Sequence, residues 1–89
     1  MSAQVAQMFF AEVVRPAFVP GSSCVDEHLD IRDGLYMATL LMHRGGLTDA
    51  HMVLSAVADA CWLARLNDLE GKIRSHNAHI RRMVDGNQP

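Results

Sequence analysis

Residues 62–83 read WLARLNDLEGKIRSHNAHIRRM, and the spacing of their apolar members decides how the chain folds. Trp62, Leu66, Leu69, Ile73, His76, Ile80 and Met83 follow one another at intervals of 4, 3, 4, 3, 4 and 3 residues. That alternation holds one edge of an α-helix against one neighbour. Asn67, Asp68, Glu70, Lys72, Arg74 and Arg81 fall off the stripe, as solvated positions should. From Ala50 to Leu66, His51, Ser55 and Asp59 form a thin polar line on a helix apolar nearly all round. Such a helix is ordinarily buried on every side. The reading is one long helix over 48–83, which folds back on itself only if Gly71 breaks it.

Upstream, Gly45-Gly46 marks the stop of a second helix over 23–44, because glycine accepts the left-handed conformation that closes the last carbonyls. Ser23 suits its N-cap, with Asp26 and Glu27 near the positive end of the dipole. A second start at Asp30 is open if the first turns fray. Val25, Leu29, Tyr36 and Leu40 form one apolar stripe, and Ile31, Leu35, Ala38 and Met42 another. Thr48 is read as the N-cap of the long helix, with Leu47 stapled on Met52. A link this short makes the two helices antiparallel neighbours. Before them, residues 2–14 fit a helix through Val5, Met8, Phe9 and Val13 or a short strand at Phe9–Val14, the alanine and glutamine content favouring helix. Arg15-Pro16 and Pro20-Gly21-Ser22-Ser23 bracket an extended connector.

The chain of 89 residues is therefore read as a single all-α domain, 1–89: an N-terminal segment and connector (1–22), a hairpin of helices 23–44 and 48–83, and a tail (84–89). In that hairpin residue 24 lies near residue 68, and at about 1.5 Å per residue the stripe runs roughly 20 Å beyond its companion. A domain of this size buries only about 60–65% of its unfolded surface. The economical cover is a second copy, so the expectation is a homodimer formed through Trp62, Leu66, Leu69, Ile73, His76, Ile80 and Met83.

Composition sets the class. Hydrophobic residues make up 49%, aromatic residues 6% and charged residues 20%, which excludes a disordered chain and a charge-saturated nucleic-acid tail. Two cysteines, Cys24 and Cys61, are too few for a secreted disulfide scaffold. No apolar run reaches the roughly 18–20 residues of a bilayer crossing, and the N-terminus lacks the basic start of a signal peptide. The expectation is a cytoplasmic protein with reduced thiols and no membrane partner. Residues 1–70 carry nine acids against four bases, whereas 71–89 carry Lys72, Arg74, Arg81 and Arg82 against Asp85 alone. That split reads as two solvated faces that complement each other within a dimer, or as contacts for an anionic partner.

Motifs for catalysis are missing: no Gly-x-Ser-x-Gly, no phosphate-cradling glycine loop, no Cys-x-x-Cys and no His-Glu-x-x-His. Ser22-Ser23-Cys24 near His28 suggests a thiol with a base, but so small a chain offers little concavity. No catalytic residue, metal ligand or cofactor is assigned. Cys24 with His28, and His76 with His79, are ligand pairs that a hairpin leaves roughly 12 Å apart. His76 on the stripe is a register-setting polar residue, or a sensor that loosens a dimer as pH falls. Four bases on a net acidic chain make a modest electrostatic footprint, which argues against direct nucleic-acid binding. The function read from these features is a small non-enzymatic regulatory or adaptor protein. It binds another protein, a transcription or signalling component, through an apolar helix face. The alternatives are a DNA-associated regulator that uses the basic end, and a metal-supported module.

Overall fold

The computed structural model describes residues 2–17 and 28–86, and every element in them is helical. The order is α1 (Ser2–Phe9), a π-helical turn (Phe10–Val14), α2 (Arg15–Ala17), α3 (Leu29–His43), α4 (Leu47–Leu63) and α5 (Asn67–Gly86). The first three run on as one N-terminal helical segment, giving an all-α, four-helix domain in place of a two-helix hairpin. Ser23, Cys24 and Val25, and the connector at Pro20–Ser23, lie outside the described residues.

The N-terminal segment is helix, and it continues through Arg15-Pro16, where the extended connector was expected to begin. Its π turn has a local cause. Pro16 has no N–H, and its ring crowds the carbonyl four residues back. Immediately ahead of it the amide of Arg15 donates to Phe10 O, five residues back, so the helix widens where the proline enters.

The expected long helix over 48–83 is two helices. It breaks at Ala64-Arg65-Leu66, not at Gly71, and α5 runs on to Gly86 through residues assigned to a tail. The break repeats the turn after α3. There Gly45 sits at φ 81°, its amide donates to Met42 O, and Gly46 N donates to Leu41 O at 2.8 Å. Here Arg65 sits at φ 62°, its amide donates to Trp62 O, and Leu66 N donates to Cys61 O at 2.9 Å. Both are the left-handed closure in which the last carbonyls of a helix find amides just beyond it. Gly45 adopts that conformation freely, whereas Arg65 adopts it against the steric cost of its Cβ. α3, α4 and α5 therefore lie side by side, alternating in direction.

The stripe on α5 is thus covered from within. Ile73 and Ile80 are fully buried, Leu69 nearly so, and Leu66 and Met83 pack against the same core. Trp62 does not join them: it ends α4 and remains 62% exposed. The buried set on α5 is Leu69, Ile73, Asn77 and Ile80, so the expected stripe is kept except at one position, where Asn77 is buried and His76 lies at the edge. Of the two stripes on α3, Ile31, Leu35, Ala38 and Met42 form the core face, while Leu29, Tyr36 and Leu40 are exposed. Helix α4 is capped by Gly46 and begins at Leu47, and Met52 is exposed, so Thr48 is not the N-cap and no staple forms.

Three helices in a row make one layer, and a core needs a second. The N-terminal segment supplies it, packing mainly on α3 and α5 with Val5, Ala6, Phe9, Val13, Val14 and Ala17 buried. Phe9 is fully buried and meets the edge of the His76 ring, centroids 5.7 Å apart.

Two glycines inside helices bear on packing in opposite ways. A Cβ built at Gly34 collides with Cγ2 of Val57 on α4, so the glycine sets the close approach of α3 and α4. At Gly71 nothing lies within 4 Å. Gly34→Ala is expected to destabilise the fold by about 1–3 kcal/mol, because a stiff β-branched neighbour must move in a packed core. Gly71→Ala is expected to stabilise it by up to about 1 kcal/mol through helix propensity alone. Denaturant midpoints shifting in opposite directions check the pair; two shifts of the same sign would contradict the packing.

Candidate functional site

The fold-back assembles a polar cluster that no local pattern announces. Ser55 Oγ donates to His51 O at 3.0 Å, and Asn77 Nδ2 donates to Ser55 Oγ at 3.0 Å. The remaining group on Asn77, its Oδ1, then accepts from His51 Nδ1 at 2.7 Å. The chain of donors fixes the imidazole: Nδ1 carries the proton, and neutral His51 presents a bare Nε2. Asn77 is buried and its needs are met within the cluster. On the outer side of His51, a cleft of roughly 330 Å³ is lined by Thr48, His51, Arg81, Val84 and Asp85.

The cationic residues expected on the C-terminal helix divide. Arg74 holds Glu70 Oε2 at 2.7 Å and Asp59 Oδ1 at 3.1 Å, and these two carboxylates raise its pKa further. The acidic and basic parts of the chain therefore meet here within one molecule. Arg81 has only a long contact, 3.7 Å, to Asp85, while Lys72 and Arg82 lie exposed with Asp68, Ser75 and His79 along the outer side of α5. His76, read as a register-setting residue on the stripe or as a pH sensor in a dimer, donates through Nε2 to Glu12 at 2.9 Å on the π turn.

Of the expected ligand pairs, Cys24 lies outside the described residues, His28 precedes α3, and His76 faces the N-terminal segment while His79 is exposed. No group of three or more metal-ligating side chains occurs among the described residues. Cys61 is fully buried, and burial first, then the nearby Glu70, pushes its thiol up to about 11. Its thiolate is scarce at neutral pH, so it is no nucleophile. Iodoacetamide at about pH 8 should label Cys61 in folded protein only at the rate of global opening; rapid labelling would show an exposed thiol. The raised value also signs a pH effect. The unfolded thiol loses its proton first, so the stability associated with the neutral group is intact below about pH 9 and is lost as pH rises to about 11.

The second feature is an apolar face on the side of the layer away from the N-terminal segment. On α4, Met52, Ala56, Asp59 and Leu63 recur at helical spacing and are all exposed, Met52 at 64% and Leu63 at 74%. On α3, Gly34 marks the row against Val57. Met37, three residues on, and Leu41, seven on, continue that row along the outer lip of the α3–α4 contact, with Met37 exposed. Val53 and Ala60 line the facing lip of α4, half-buried. Asp30, Asp33, Asp49 and Asp59 stand around this face with Arg44; Asp33 is met by Arg32 at 3.6 Å and Asp59 by Arg74 at 3.1 Å, while Asp30 and Asp49 add negative charge at its α3 and α4 ends. No helix among the described residues is long and apolar enough to cross a membrane. No protein family, curated protein or solved structure was found to match the chain.

Proposed function

We propose that this is a non-enzymatic protein-interaction module whose α3–α4 face receives an amphipathic, basic helix of another protein, in a regulatory or adaptor role. One observation carries the reading. After the four helices have covered one another, Met37, Met52, Ala56 and Leu63 remain together on one side, framed by carboxylates. Methionines suit a face that accepts a partner helix, because their unbranched side chains adapt to the knobs presented to them. Ala56 lets a backbone come close at the centre. The charge pattern selects the partner. A second copy paired through the same face would bring two acidic rims together, and like charges across an interface cost affinity. The basic side of α5 in another copy offers Lys72, Ser75, His79 and Arg82, with nothing apolar to fill the groove. A helix with leucines at i, i+3, i+4 and i+7 and flanking arginines meets both requirements.

The test uses such a synthetic peptide and a glutamate-flanked counterpart, followed through the methyl resonances of Met37 and Met52. The basic peptide is expected to shift both and the acidic one neither. Ala56→Arg, at an exposed position, is expected to abolish the shifts without altering the helical signal. Equal binding of both peptides, or binding undiminished in the variant, overturns the proposal. So does dimerisation of the free chain that Ala56→Arg abolishes, since a second copy would then be the occupant.

A further inference from the structure

We infer that the cleft between the start of α4 and the end of α5 is a phosphate-type oxyanion site, with His51, Arg81 and Thr48 as its donors. It lies apart from the α3–α4 face, and neither inference depends on the other. The argument begins with the buried cluster. Asn77 Oδ1 accepts from the Nδ1–H of His51 and holds the ring, so whatever His51 does in the cleft it does through Nε2. Arg81 brings a planar fork of donors to the same space, and Thr48 brings a hydroxyl. Its present partner is weak. The Arg81–Asp85 contact is 3.7 Å between side chains that are both about two-thirds exposed, and such pairs contribute little. An oxyanion can therefore take the guanidinium from Asp85 at small cost. Donors arriving from three residues suit a tetrahedral group with three free oxygens better than a planar carboxylate.

The locked imidazole adds a proton requirement. A bare Nε2 repels an oxyanion, whereas Nε2–H donates to it; equally, a singly protonated phosphate oxygen can donate to the bare nitrogen. Either way the complex holds one proton more than neutral His51 and dianionic phosphate hold apart. Binding is therefore linked to the uptake of a proton. The charged groups lining the cleft around His51 are Arg81 and Asp85 of α5; its neighbours on α4 are Thr48 and Ser55, and the lining includes nothing from α3 or the N-terminal segment. Asp85 is thus the competitor and Arg81 the anchor.

Inorganic phosphate is titrated into the folded chain, with acetate in parallel, and the backbone and imidazole resonances of Thr48, His51 and Arg81 are followed. Phosphate is expected to shift them saturably, several-fold more tightly at about pH 6.5 than at about pH 8. Acetate should not. Arg81→Gln should abolish the shifts, His51→Gln should weaken binding at about pH 6.5, and Asp85→Asn should tighten binding by freeing the guanidinium. Arg81 and Asp85 are largely exposed, and His51→Gln keeps an amide donor that can face buried Asn77; circular dichroism checks that each variant keeps its helices. No saturable shift in the cleft, a response to acetate equal to that to phosphate, or an unchanged response in Arg81→Gln overturns the site. A weakening in Asp85→Asn overturns the assignment of that carboxylate as competitor, and with it the proposed arrangement.

Discussion

Leu69→Asp is expected to unfold the chain outright, with loss of the far-UV helical signal, and not to release folded monomers from a dimer. Leu69 is 8% exposed and packs in the core that α5 shares with α4. Removing a buried leucine side chain costs about 2–5 kcal/mol by itself. The carboxylate that replaces it must either lose its hydration or take up a proton, and each adds several kcal/mol. A chain of 89 residues has roughly 5–13 kcal/mol in total to lose. Leu69→Met, which conserves volume, should cost less than about 1.5 kcal/mol and serves as the control. Circular dichroism with light scattering reads the result. A Leu69→Asp protein that keeps its helices and halves its mass would show that the stripe meets a second copy, as a continuous helix over 48–83 requires.

That contrast locates what was legible. The apolar stripe from Leu66 to Met83 was visible in the spacing and is buried, and the stop at Gly45-Gly46 was visible because glycine advertises a left-handed turn. What covers a stripe is not encoded in its spacing. The answer turned on Arg65, which takes the conformation that sequence reasoning assigns to glycine, while Gly71, the residue that invited a break, sits undisturbed inside α5. With α4 and α5 separate, each finds its cover within the chain, and the apolar circumference of α4 is shared between α3 and α5. The His51–Asn77 cluster was invisible for the same reason. Its partners are 26 residues apart and meet only through the fold-back, although an asparagine one position from the seam residue His76 was a signal that a polar group could enter the buried edge there.

The second large effect belongs to Phe9, and it tests whether the N-terminal segment is part of the fold or an attachment to it. Without that segment α3, α4 and α5 are one layer, open on both sides, with Ile31, Leu35, Ile73 and Ile80 facing water on one of them. A single layer cannot hold a core. Phe9 is the largest side chain the segment buries; it lies against the His76 ring, and Glu12, three residues on, accepts from the same imidazole. Phe9→Ala should therefore cost about 3–5 kcal/mol, comparable with a third or more of the whole stability. It should lower a single cooperative melting transition by more than about 10 °C. His76→Ala, which loses the half-buried ring but leaves Phe9 in place, should cost less. Were the segment an attachment, Phe9→Ala would leave the main transition within about 3 °C of the parent and release the His76 resonance alone. The expected result has a consequence for the opposite side of the layer. If the N-terminal segment is needed to close one face, the α3–α4 face across from it is the one that the described helices leave uncovered.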